Sequence, residues 1–470
     1  MKPRAPHFPF ALLLALAAGL TALIGAIPYA GSWFDGGRLA TVECLVDYHT
    51  WQIDGSIFLG PDGPRSTPPD SPYTPDWMPN VLHGTQDKAF INGHFYSDKS
   101  PVVSLLMAAS YQILQSTTGL VAVDHPHIFC YLMALIWGGG AYFLAVLGMD
   151  RFVARAGLPN FVRILLSLGF AFGTVALTYS RQVNNGILLL ADFMALYLLL
   201  APSAEPGWGK FTVRQLCAIG GLIGLGYAID LGVGPVLVLS VTAYIAARTK
   251  SWRCVILVLA ASFPWFALHH ALNYMICGTF KPVGSTPAFF LWPGSHWVAE
   301  KLTGVGWAHS DLGDYFRYNV KLLISQRGFI VHNYSLLLAL PGAIWLGRKP
   351  GQGPALLYCS LALIAGTILL YGATSNNFSG QSCSIRWFVP LLVPFYHVLI
   401  LLLQRYPALW PDLAILTGFS LLLQNLLWRI GPWTPPLGPK IWVMLAVVLF
   451  SWFTLRLFLF FARPKLRPSP

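Results

Sequence analysis

Charged side chains are scarce in this chain, so the places where they gather are the places to look for chemistry. Only 10% of the 470 residues are charged, while 55% are hydrophobic. One gathering is Asp35-Gly-Gly-Arg38, followed by Glu43 and Asp47. Residues three or four apart share a helix face. A carboxylate held there can take a proton from a hydroxyl group. The same residues also read as ordinary ion pairs on a solvated helix, and the apolar spacing from Arg38 to about Tyr48 predicts an amphipathic helix on a membrane surface. A second gathering is Tyr96-Ser-Asp98-Lys99-Ser100-Pro101. Pro101 suits the first position of a helix and Ser100 the N-cap before it. Free N–H groups beside Lys99 would make a phosphate site, or simply a helix start. Tyr179-Ser-Arg181-Gln-Val-Asn184-Asn185-Gly186 is a polar turn between two apolar runs, read either as a capped turn or as part of a site. Arg386, in Ser384-Ile-Arg386-Trp-Phe-Val-Pro390, and Arg327, before Gly328, stand where spans begin. An arginine there either snorkels to the interface or clamps a phosphate.

Asp192, Asp230 and Arg456 lie in or near apolar runs, where ionisable groups are costly and usually paired or functional. Asp230 falls at a turn. His269 and His270 are adjacent and face apart on a helix, which disfavours a metal pair. The seven cysteines show no CxxC or metal-ligand spacing.

The elements that must position these residues are membrane helices. Apolar runs near 8–30, 127–147, 162–179, 186–201, 214–229, 231–247, 254–275, 328–347, 354–373, 387–404, 411–428 and 440–461 are each long enough to approach or cross a ~30 Å hydrocarbon core. Lipid offers no partner for free backbone groups, so such runs are helices. The expected fold class is an all-α polytopic membrane protein with about twelve spans. The run Phe8–Tyr29 follows Lys2 and Arg4 and reads as an uncleaved first span rather than a signal peptide.

Charge decides how to treat Pro101–Leu120. If it does not span, one side carries Lys2, Arg4, Arg151, Arg155, Arg163, Lys210, Arg214, Arg248, Lys250, Arg253, Arg348, Lys349, Arg405, Arg463, Lys465 and Arg467. The short loops of the other side carry only Arg181, Arg386, Arg429 and Lys440. That bias puts both termini in the cytoplasm and Pro101–Leu120 along the outer interface. It also accounts for the net charge of +12 without nucleic acid. Two long loops, about 31–100 and 276–327, then face outward. The first carries Asp35, Glu43, Asp47, Asp54, Asp62, Asp70, Asp76, Asp87 and Asp98, half of the chain's 18 acidic residues, and a Pro-rich excursion, Pro61–Pro79. Loops of this length are commonly functional.

In order and placement these motifs resemble the polytopic glycosyltransferases of the GT-C fold that use polyprenyl-phosphate sugars. Nearest in pattern are the bacterial aminoarabinose transferases of lipid A and the protein O-mannosyltransferase-like proteins. Asp35-x-x-Arg38-Leu-Ala with Trp51 resembles their D-x-x-R-Y-A…W pattern, and Tyr96-Ser-Asp98-Lys99-Ser-Pro101 their F-E-K-P-P motif. Tyr179-Ser-Arg-Gln-Val-Asn184-Asn185 is similar to their second outer turn. Leu272-Asn273-Tyr274…Gly278-Thr-Phe-Lys-Pro282 resembles their N-Y…F-G-S-P stretch. Gln326-Arg327-Gly328-Phe-Ile and Ile385-Arg386-Trp-Phe-Val-Pro390 resemble their R-G-L-F and R-Y-L-x-P stretches. Ser100 and Gly186 depart from the pattern, standing where a proline and a histidine are usual.

The resemblance implies a GT-C-like catalytic module over 1–404, which includes both outer loops, with further transmembrane helices over 405–470. It implies transfer of a hexose or pentose, with inversion, from a polyprenyl-phosphate donor to a hydroxyl on a glycan, lipid or protein, at the outer face of a bacterial inner membrane. Asp35 would be the general base and Arg38 would hold it ionised. Lys99, Arg386 and Arg327 would take the donor phosphate. Glu43, Tyr96, Asn184, Asn185 and Asn273 would contact substrate. Asp98 would be the ligand if a divalent metal takes part; no cofactor is otherwise implied. Two other readings fit the same chain: a non-catalytic membrane subunit on this fold, and a transporter. A transporter would favour broken helices and mid-membrane charges, whereas these charges gather in the outer loops.

Overall fold

The computed structural model describes residues 8–59, 84–201, 211–298, 302, 306–348, 354–380, 382–432 and 437–461. The stretch Pro61–Pro79, with Asp62, Asp70 and Asp76, lies outside them. So do Lys2, Arg4, Lys210, Lys349, Arg463, Lys465 and Arg467.

Each apolar run read from the sequence contains a helix. The chain order begins with α1 (Phe8–Gly25), α2 (Trp33–Asp47), a hairpin of β1 (Lys88–Ile91) and β2 (His94–Ser97), and α3 (Pro101–Thr118). It continues with α4 (Pro126–Ala154), α5 (Asn160–Phe172), α6 (Asn185–Leu200), α7 (Val213–Ile229), α8 (Gly234–Thr249) and α9 (Trp252–Cys277). After these come α10 (Leu312–Leu323), α11 (Leu336–Gly347), α12 (Ala355–Thr374), α13 (Arg386–Arg405), α14 (Pro407–Ile430) and α15 (Lys440–Phe461). Of these, α4, α9, α12, α13, α14 and α15 are long and apolar enough to cross a membrane, and α1, α5, α6, α7, α8 and α11 are shorter apolar helices. The protein is a multi-pass membrane protein.

The helices pack as neighbours, α1 on α4, α4 on α6, α6 on α7, α7 on α9 and α8 on α12. The start of α13, a 3-10 stretch Arg386–Leu391, packs against α6. Close backbone approach is made through glycine. A Cβ at Gly138, inside the π-helical stretch Ala134–Gly139 of α4, would stand 2.5 Å from the Gln182 carbonyl oxygen. That contact seats the turn 180–185 against α4.

Three expectations need correction. The helix expected from Arg38 begins at Trp33, and it is buried along nearly its whole length rather than lying amphipathic on a surface. Its start is set by a capping box between Ser32 and Asp35. The run 328–347 is helical only from Leu336; before it, turns bury His332 and Asn333. Asn333 accepts a bond from the Val175 N–H at 3.0 Å, so its polar side chain ties two segments that a continuous helix would separate. Ser100 occupies the N-cap position of α3 without capping it; its hydroxyl donates to the Ala228 carbonyl at 2.5 Å. Pro101 does open the helix, which Gly119 ends in the left-handed conformation.

The two long loops meet on one side of the bundle. Strands β1 and β2 join through Asn92 and Gly93, both with positive φ (51° and 88°), the signature of a tight hairpin turn. The hairpin packs on Val283 and Phe290 of the second loop. The Trp297 indole donates to the Gln86 carbonyl at 3.0 Å, and Trp33 meets His296 edge-on at 4.8 Å.

Candidate active site

The hairpin delivers Asp98 and Lys99 to α2. Lys99 Nζ lies 2.7 Å from Asp87 and 3.0 Å from Asp98. Burial raises the Asp98 carboxyl, an effect opposed by the adjacent ammonium. Lys99 also stands over the ring of Phe34, 4.5 Å from its centroid. Two more cations meet that ring: Arg386 at 4.3 Å and Arg38 at 5.5 Å. Three segments distant in sequence thus place Arg38, Lys99 and Arg386 around one aromatic side chain.

Arg38 is fully buried. Its Nη2 donates to Asn185 Oδ1 at 2.7 Å, while its Nε and Nη1 are buried without a hydrogen-bond partner. Burial lowers its pKa to about 10; Asp98 and Asp230 act against that and Arg386 with it. The group stays charged at neutral pH. Asn185 in turn donates to Asp230 Oδ2 at 3.2 Å, and Asp230 Oδ1 accepts from Tyr371 at 2.7 Å and from the Gly232 N–H at 2.8 Å. Tyr371 stacks on Trp387, centroids 4.6 Å apart and planes 4° from parallel. Phe34, Asn185, Gly186, Asp230, Arg386 and Trp387 line a cleft here.

Asp35 is 2% exposed. Its carboxylate accepts from the Gly31 N–H (2.9 Å), the Ser32 N–H (2.8 Å) and the Ser32 hydroxyl. Burial raises its pKa to about 6 against the pull of those bonds. The expected partnership with Arg38 is absent: Arg38 turns to Asn185, so what orients Asp35 is the helix cap.

The remaining sequence-derived candidates fall into two groups. Tyr96 lines a small pocket with Trp51, Lys99 and Pro101, next to the cluster. Glu43 is instead buried, its oxygens taken by the Ser56 hydroxyl at 2.6 Å and the Ile57 N–H at 3.2 Å. Asn184 caps α6 through the Ile187 N–H at 3.0 Å and donates to the Tyr179 carbonyl. Asn273 donates to the His269 carbonyl and accepts from the Val283 N–H, pinning the second loop. Arg327 reaches the Gly380 carbonyl at 2.9 Å and so braces the segment leading to Arg386. These four hold backbone in place. Asp98 does not fit a metal ion: the Asp87–Asp98 pair already holds the Lys99 ammonium, and no group of three His, Cys, Asp or Glu side chains among the described residues could hold one. Phe34, Asp230, Tyr371 and Trp387 were not foreseen as a unit. Asp230 gave a signal, a carboxylate at the edge of a span; the aromatic residues gave none.

No protein-family model matches the sequence, and no curated protein matches it. Solved structures do resemble it. ArnT of Cupriavidus metallidurans bound to undecaprenyl phosphate aligns with a TM-score of 0.50 at 13% identity, over 96% of this chain and 76% of that one. The same protein in its apo state aligns with a TM-score of 0.50 at 13% identity, over 87% of this chain and 62% of that one. The chain has the GT-C fold.

Proposed function

We propose that this protein is an integral membrane glycosyltransferase that moves a sugar from a polyprenyl phosphate to a hydroxyl acceptor. The observation that carries the reading is the convergence of Arg38, Lys99 and Arg386 on Phe34, with two guanidinium nitrogens of Arg38 buried and unpartnered. Such a set suits a phosphate, because buried donors demand an acceptor and a guanidinium offers a fork that fits one. The similarity to a structure that contains undecaprenyl phosphate supports a lipid-linked phosphate. Lys and Arg crowd the opposite ends of the helices, which supports an outward-facing site in a bacterial inner membrane with both termini cytoplasmic.

In the reaction, the acceptor oxygen attacks the anomeric carbon as the bond from that carbon to the phosphate oxygen breaks. The bonding pair leaves with the phosphate, whose growing charge is met by Arg38, Lys99 and Arg386. A phosphate needs no protonation to leave, so one carboxylate suffices, unlike the pair in a glycosidase. Asp35 takes the acceptor proton; of its roughly four acceptor positions, three are filled by Gly31 and Ser32. A single displacement inverts the anomeric centre.

A specific observation favours a second reading, a non-catalytic subunit on the same fold. Asp35 already serves a helix cap, and Lys99 already has two carboxylate partners. The two readings separate when release of free polyprenyl phosphate is measured from a pool of polyprenyl-phosphate sugars with native membrane extract as acceptor. Wild type is expected to release it, Asp35→Asn to lose release, and Ser32→Ala, which weakens the cap but keeps the carboxyl, to retain most of it. The base form of Asp35 is present above about 6 and is lost as pH falls, so the rate should drop about tenfold per pH unit below that value. Equal release by Asp35→Asn would remove Asp35 as base, and no release by wild type would favour the subunit.

A further inference from the structure

We propose that the cleft beside the cation cluster seats the donor's sugar, that Asp230 and Asn185 read its hydroxyl groups, and that this sugar is uncharged. The inference rests on the glycosyltransferase reading and adds the chemical class of the group transferred.

Place is the first argument. Phe34 and Arg386 belong both to the cation cluster and to the wall of the cleft. A group bonded to a phosphate in the cluster therefore enters the cleft, which encloses about 280 Å3 with its open mouth included.

Unused hydrogen-bonding capacity is the second. Asp230 accepts from Tyr371, Gly232 and Asn185, which leaves about one of a carboxylate's four acceptor positions. Asn185 accepts from Arg38 and gives one N–H to Asp230, which leaves a second N–H. One acceptor and one donor side by side match hydroxyl groups, which donate and accept. Trp387, one face of which is covered by Tyr371, is held rigid at the cleft wall, and a rigid aromatic wall is well suited to the C–H face of a sugar ring.

Charge is the third. Asp230 sits within the field of Arg38, and Arg386 stands on the same wall. An amino sugar would add an ammonium beside two guanidinium groups. An acidic sugar would set its carboxylate against Asp230. Neither is accommodated as well as a neutral ring.

The test uses the full chain in lipid nanodiscs and three probes: undecaprenyl phosphate, undecaprenyl phosphate bearing a neutral hexose, and the same lipid bearing the 2-amino hexose. Wild type should bind the neutral glycolipid roughly tenfold more tightly than undecaprenyl phosphate, and more tightly than the amino form. Trp387→Leu should reduce that advantage to about threefold or less while binding of undecaprenyl phosphate stays within about twofold of wild type, and Asp230→Asn should reduce the advantage as well. Variants that bind all probes as wild type does, or lose all of them together, would overturn the proposal, as would a preference for the amino form. Failure of wild type to bind undecaprenyl phosphate would instead remove the glycosyltransferase reading, and the inference with it.

Discussion

Glu43 has no exposed surface; its Oε2 accepts from the Ser56 hydroxyl and its Oε1 from the Ile57 N–H. Burial is the main force on its pKa, raising it to about 8 against those bonds, with Asp47 adding a smaller push upward. In an unfolded chain the same group titrates near ~4.3. Between these values the folded protein holds a proton that the unfolded chain has released, so stability falls as pH rises from about 4.3 to about 8. Glu43→Gln keeps an acceptor for Ile57 and removes the titration. Its melting temperature should therefore match wild type near pH 5, exceed it near pH 8, and vary less between them. Thermal unfolding followed across that range checks this, and a wild-type slope retained in Glu43→Gln would place the titrating group elsewhere. The residue's type alone could not separate this role from a substrate contact. Asp35, Glu43 and Asp47 share one helix, yet Asp35 is held by its own cap, Glu43 by Ser56 and Ile57, and Asp47 by Tyr111 and Gln115.

At the scale of elements, the site depends on how closely α6 approaches the start of α13. A Cβ at Gly186 would stand 2.5 Å from the Arg386 carbonyl oxygen, a distance that real contacts do not tolerate. Glycine there lets the first turn of α6 press against the 3-10 turn that carries Arg386 and Trp387. The departure at Gly186 is thus a packing solution. Gly186→Ala must part the two elements, an overpacking cost of about 1–3 kcal/mol. It should lower the melting temperature by several degrees and weaken binding of undecaprenyl phosphate, since Arg386 moves with its turn; Gly186→His should be worse. Thermal unfolding and lipid binding measured on both variants decide this, and wild-type behaviour in both assays would show that the turn yields freely. The hairpin before Lys99 teaches a related lesson. Its Asn92-Gly93 pair is the strongest local hairpin signal in the first loop, yet it is brief and set between short strands. The start of α2 is hidden differently: Ser32 and Asp35 form a capping box, but an aspartate three residues before an arginine reads equally well as chemistry.

The whole molecule is where sequence speaks most clearly, because lipid imposes one rule on every span. The apolar runs all contain helices, and Pro101–Leu120, set apart by charge alone, became α3 with one buried face. What periodicity could not supply was the assembly: Phe34 between three cations, or Asp230 bridged to Arg38 by Asn185, join separate segments of the chain. The charge bias also predicts an orientation that can be measured. Arg151, Arg155, Arg163, Arg248, Lys250 and Arg253 lie at the helix ends away from the two long loops, and short basic loops stay in the cytoplasm. Two exposed positions report the two sides: Ser310, in the second long loop, and Asn160, at the start of α5. In a background without the native cysteines, Ser310→Cys should react with a membrane-impermeant maleimide added to intact cells, and Asn160→Cys only after the membrane is opened. The reverse pattern would turn the site toward the cytoplasm and demand a donor on that face. Labelling of both from outside would mean that one of the helices α5 to α9 between them does not span, against the odd number of crossings that the charge bias implies.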